Sequence, residues 1–124
     1  LLEAGFVYDS SLMAMDEPYV LNANGAPTGL VELPVDWILD DAPYFVRAGS
    51  LPSPELIFKT FQDEFDLAYE EGTYFMLTLH PHVIGHRSRI VHLDRFIAGI
   101  KERQGVWFAT AEQIALYVKS SKPR

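Results

Sequence analysis

The sequence contains no cysteine, which removes disulfides and thiolate-bound zinc from consideration and leaves the redox compartment unreadable from thiols. It has no run long and apolar enough to cross a bilayer and no leader-like pattern at its start, so no membrane partner is expected and the cytoplasm is the default location. Basic residues are scarce. Ten Lys and Arg stand against seventeen Asp and Glu, for a net charge of −7. A nucleic-acid backbone is recognised by clustered cations, and here the Lys and Arg are scattered, with Arg87 and Arg89 a tight pair but no larger cluster. Nucleic acid is therefore not an expected partner. Also missing are a glycine-rich phosphate loop, a serine-nucleophile motif, internal repeats and low-complexity stretches.

What is present is the material of a core. Apolar residues make up 48% of the chain and aromatic ones 13%, in 124 residues that suit one domain or part of a larger one. Leu1-Leu-Glu-Ala-Gly5 reads as the last turn of a helix stopped by glycine. One turn is not stable alone, so the chain is expected to be the C-terminal part of a longer domain. Phe6–Asp9 reads as a short strand and Ser10–Pro18 as a loop. Tyr19–Leu21 and Leu30–Trp37, joined across Asn24-Gly25 and Thr28-Gly29, read as a hairpin. Pro34 implies an edge or a bulge in its second strand. Residues 40–51 mix turn formers and aromatics without a period and read as an ordered loop.

From Ser53 the pattern changes. Ser53-Pro54-Glu55 is a helix start, and Phe58, Phe61, Phe65 and Ala68 fall on one face of the helix that Gly72 stops. Thr73–His80 is an apolar strand. A second helix begins near Ser88, with Leu93, Phe96, Ile97 and Ile100 on its inner face, and ends at Gly105. Val106–Ala109 is a strand, and Thr110-Ala-Glu-Gln113 is a capping box that opens the last helix. Residues 1–119 form the domain portion and 120–124 a frayed tail. Helix, strand, helix, strand, helix predicts an α/β fold, with parallel strands and helices outside them, in an open sheet or a barrel.

All four histidines lie between His80 and His92, and strand ends are where α/β proteins place their chemistry. His80-Pro-His82 with His86 invites a metal reading, because His-x-His after a strand can offer two imidazoles to one ion. Against it, no His or Cys follows His92. His82 and His86 read equally as loop residues with local hydrogen bonds. His80, ending a buried strand, can be rigid and partly desolvated, as a proton donor to a leaving group must be; a core histidine bonded to a carbonyl is the plainer alternative. A second constellation is Glu32-Leu-Pro-Val-Asp36-Trp37-Ile-Leu-Asp40-Asp41. An Asp beside a strand-end His raises its pKa, and Asp36 or Asp40 could play that part. Trp37 could wall a sugar pocket or simply pack in the core. Asp40-Asp41 could also be an exposed turn or a helix cap.

Gly5-Phe-Val-Tyr-Asp-Ser-Ser-Leu12, Glu32-Leu-Pro-Val-Asp-Trp37 with Leu39-Asp-Asp41, and Leu77-Thr-Leu-His-Pro-His82 with Gly85-His-Arg87 together resemble the polysaccharide deacetylase family. The nearest branch is the peptidoglycan-deacetylase-like and allantoinase-like one. The resemblance implies the C-terminal part of a distorted (β/α) barrel, with parallel strands, outer helices and a β-hairpin. It implies hydrolysis of an N-acetyl amide in a carbohydrate, or of a related cyclic amide, assisted by a divalent metal, usually zinc. The family's late histidine, which protonates the leaving amine, matches His80, and its acid-tuning Asp-Trp pair matches Asp36-Trp37. Asp40 and His82 are the further substrate-side candidates.

The family's base and metal-binding motifs would precede residue 1. The resemblance thus implies metal ligands upstream and none within this chain, a missing N-terminal half as partner, and no activity from this part alone. It also implies an open barrel edge suited to homo-oligomers or docking. Two other readings stay open: a metal-independent ureide hydrolase of the same fold, and a non-catalytic carbohydrate-binding or partner subunit.

Overall fold

The computed structural model describes residues 1–47 and 52–121. In chain order it has a 3-10 turn Leu2–Ala4, strands β1 (Tyr8–Asp9), β2 (Tyr19–Ala23) and β3 (Ala26–Glu32), and a π-helical turn Pro43–Arg47. Helices α1 (Pro54–Glu71), α2 (Pro81–Ile84), α3 (Arg87–Lys101) and α4 (Ala111–Ser120) follow. The chain divides into two compact units, Leu1–Val35 with the segment from Phe108, and Asp36–Trp107. No helix among the described residues is long and apolar enough to cross a membrane.

The first unit is built on a three-stranded sheet of order β1-β3-β2, with β1 parallel and β2 antiparallel to β3. The hairpin turn is Asn24-Gly25, at φ 53° and 80°, the left-handed pair that matches strand twist. Past the turn the ladder is irregular: Asn22 faces Pro27, whereas Val20 faces Val31. The surplus residues of β3 are held by Thr28, whose hydroxyl donates to the Leu21 carbonyl at 2.7 Å and accepts from the Leu30 N–H at 3.1 Å. Leu30 to Pro34 are buried without interruption, so the alternation expected of Val31, Leu33 and Val35 is erased by burial on both faces. β3 stops at Glu32, before Pro34, which has no N–H to give a ladder. Helix α4 packs on β1 and β3. It starts with a complete capping box, Thr110 accepting from the Gln113 N–H and Gln113 from the Thr110 N–H.

The second unit has a phenylalanine-rich core. Ile57, Phe58, Phe61 and Phe65 of α1 meet Ile84 of α2 and Leu93, Phe96 and Ile100 of α3, with Phe75, Leu77, Leu79 and Val106 packed against them. The rings meet edge-on, Phe58 with Phe61 and Phe65 with Phe75 both at 5.4 Å between centroids, the arrangement aromatic quadrupoles favour. Gly72, at φ 66°, ends α1 and turns its N–H back to the Ala68 and Tyr69 carbonyls. Of the expected inner faces, Ile97 is exposed while Ile57 joins the core.

Several expectations need correction. Thr73–His80 is extended but forms no ladder among the described residues; it makes one parallel bridge, Thr78 with Asp40. Val106–Ala109 is not a strand. A parallel strand needs a ladder along its length, and among the described residues neither segment forms one. What is established is a mixed α/β fold with a small, unclosed sheet among the described residues. Residues 41–47 are helical, because Asp40 and Pro43 start a turn that the loop reading overlooked; residues 48–51 of that loop lie outside the described residues. Ser120, read as tail, closes α4, and residues 122–124 lie outside the described residues.

Candidate active site

His80 sits where an extended segment becomes a helix. Pro81 restricts the residue before it to extended backbone, and His80 has φ −106° and ψ 120° as the N-cap of α2. Its carbonyl accepts from Val83 at 2.8 Å and Ile84 at 2.9 Å, and the buried Val83 and Ile84 side chains fix α2. Alongside runs Leu39–Asp41. The Thr78 N–H donates to the Leu39 carbonyl at 2.8 Å and the Asp41 N–H to the Thr78 carbonyl at 3.2 Å.

That register brings Asp41 under His80. The His80 backbone N–H donates to both Asp41 oxygens, at 3.2 and 3.1 Å, and ring Nδ1 lies 2.7 Å from Oδ1. Asp41 is 0% exposed, and these donors offset the cost of burying its carboxylate. A carboxylate only accepts, so Nδ1 carries the hydrogen and Nε2 is left for chemistry. Asp40 is held by its own turn, Oδ1 accepting from the Ala42 N–H at 2.8 Å, and lies 3.6 Å from His80 Nδ1. The hydrogen bond to Asp41 raises the His80 pKa above 6.5; partial desolvation lowers it, and the charges of Asp41 and Asp40 raise it further. The His80 side chain is 39% exposed, which leaves an approach from solvent. A protonated, oriented imidazole with a free Nε2 is equipped to give a proton to a leaving group.

No family model matches the sequence. A peptidoglycan deacetylase of Helicobacter pylori is 30% identical over 100% of this chain and 53% of its own length. Among solved structures, a provisionally named polysaccharide deacetylase from Mycobacterium smegmatis is 34% identical. It superposes with a TM-score of 0.83 over 98% of this chain and 47% of its own. The PuuE allantoinase is 28% identical, with a TM-score of 0.87 over 99% of this chain and 42% of its own.

The chain is a relative of the polysaccharide deacetylases. It spans about half the length of the curated peptidoglycan deacetylase it matches.

Within this deacetylase-like chain the other expected residues fall as follows. Asp36 is exposed, and its Oδ1 accepts from the Ile38 N–H at 2.9 Å; the carboxylates beside His80 are Asp41 and Asp40. Trp37 is 59% exposed and has the Arg47 guanidinium 5.9 Å from its ring centroid. The Tyr44 hydroxyl donates to the Ile38 carbonyl at 3.1 Å. Burial, then Glu64 and Asp36, push the Tyr44 pKa up and keep it a donor. His82 belongs to α2 and meets His80 edge-on at 5.9 Å. His86 is the N-cap of α3 and makes no capping bond with its side chain. His92 stacks on Phe58 at 5.7 Å. The partner of His80 is thus Asp41, which sequence reasoning left as a turn residue. A signal existed: pairing Leu39-Asp-Asp41 in parallel with Leu77-Thr-Leu-His80 selects it.

Asp40, Asp41 and His80 also bring possible ligand atoms within 4.8 Å of one another. Their donor chemistry does not fit a metal cage. The His80 Nδ1 lone pair is taken by the hydrogen it gives Asp41, and Asp41 already accepts from backbone and ring. The cluster is a histidine held by its carboxylate, and the three residues do not close a cage of their own.

Proposed function

We propose that this chain is part of a C–N hydrolase that deacetylates an N-acetylated carbohydrate, with His80 as general acid. The observation that carries the reading is the 2.7 Å contact from His80 Nδ1 to the fully buried Asp41, in a chain related to a peptidoglycan deacetylase. Water adds to the acetamide carbonyl carbon, the C–N bond breaks, and the departing nitrogen takes its proton from His80 Nε2. Acetate and a free amine result. Asp41 holds the ring and stabilises the imidazolium before transfer. In the complete domain the extended segments before His80 and at Val106 would become barrel strands. Asp36, Trp37, Asp40 and His82 would border the sugar. The exposed Trp37 ring suits stacking on a pyranose face, and Asp40 and His82 flank the acid.

The test is acetate release by the intact protein from an N-acetylated glycan. Replacing His80 by Ala should lower kcat by about 10²- to 10⁴-fold; release at the wild-type rate would sink the assignment.

A second reading is favoured by the similarity to the PuuE allantoinase: cleavage of a cyclic amide without a metal. Chelator treatment of the intact protein separates the two, since the deacetylase should lose turnover and the metal-independent hydrolase keep it. If glycan binds and neither reaction occurs, the chain belongs to a carbohydrate-binding protein of the same fold.

A further inference from the structure

We propose that Arg89 is a positioning residue that keeps the Asp41 and His80 segments in register. The inference rests on the reading of His80 as proton donor. Arg89 lies in the first turn of α3, where the helix dipole disfavours a cation, so its place calls for another cause. Its Nη1 donates to the Val83 carbonyl at 2.7 Å, one of the carbonyls that a single-turn helix such as α2 leaves without an internal partner. The same guanidinium lies 4.2 Å from the Phe45 ring centroid, within cation–π range.

Val83 is three residues past His80 and Phe45 four past Asp41. Arg89 therefore grips both chain segments just beyond the pair they carry. On the near side, the described backbone link between those segments is the single bridge at Thr78. The other ties between the segments are the Asp41–His80 bonds themselves, and Arg89 adds a fixed point beyond them that holds the pair in that register. Arginine suits this because one planar group can both donate in its edge and stack by its face; lysine offers a point charge.

The titratable groups facing His80 are Asp40, Asp41 and His82, and their arrangement gives the test a sign. Removing a cation does not by itself lower an imidazole pKa. Loosening the bond to Asp41 lowers it. The experiment follows the His80 ring by NMR in the intact protein and in Arg89→Ala, Arg89→Lys and Phe45→Leu. Arg89→Ala should lower the His80 pKa toward 6.5, broaden or abolish the Nδ1–H signal, and cut kcat about tenfold to a hundredfold with KM unchanged. Arg89→Lys should not rescue. Phe45→Leu keeps the Val83 bond and should act in the same direction to a smaller extent, which preserves the test if Arg89→Ala does not fold. A raised or unchanged His80 pKa in either folded variant overturns the inference. Full turnover after His80→Ala would instead remove the catalytic reading, and the titration would still decide the clamp.

Discussion

Asp41 receives the backbone N–H and the ring N–H of the same histidine on one buried carboxylate. Replacing it by Asn keeps the shape but removes the charge that favours imidazolium. The His80 pKa should then fall toward its ordinary 6.5. A general acid works only while protonated, so the alkaline limb of the kcat/KM–pH profile should move to lower pH; a limb that stays in place would show that Asp41 does not tune the acid. The place of His80, at the end of an apolar run before a helix, was legible from sequence because the signal is local: an apolar run, a proline and a break. Its partner could not be found as easily. Asp36, Asp40 and Asp41 have similar local surroundings, and only the pairing of residues 39–41 with 78–80, nearly forty positions away, tells them apart.

Helices and turns with local signals came out as the sequence implies. The Asn24-Gly25 turn, the Gly72 stop and the Thr110–Gln113 capping box depend on neighbouring residues. Thr110→Ala should cost about 1 kcal/mol, measured as a lower urea midpoint with an unchanged slope. A midpoint equal to wild type would mean the cap is dispensable. The extended segments are different. Thr73–His80 has a strand's composition, yet composition does not supply a neighbour, and one bridge is what forms. Ser53 likewise has the residue type of a cap but makes no side-chain cap bond; Pro54 starts that helix by its fixed φ.

Two units, each with buried apolar residues of its own, make up the molecule. Fold class was readable because periodicity reports burial, while strand pairing is a long-range matter that periodicity does not encode. Acidity links the scales. Since the folded His80 pKa lies above 6.5, protonation favours the folded state. Its contribution is complete below about pH 6.5 and vanishes as pH rises through the higher folded value. The gap in urea midpoint between wild type and His80→Gln should therefore be widest near pH 6 and close in mildly alkaline buffer; a gap independent of pH would contradict the linkage.

One bond has a longer reach than catalysis. Asp41 is seated partly on the main-chain N–H of residue 80, and every non-proline residue carries that group. The architecture of the corner can thus outlive the imidazole. Loss of the imidazole need not undo the seat of Asp41, so the pairing of residues 39–41 with 78–80 could survive a change of side chain at position 80.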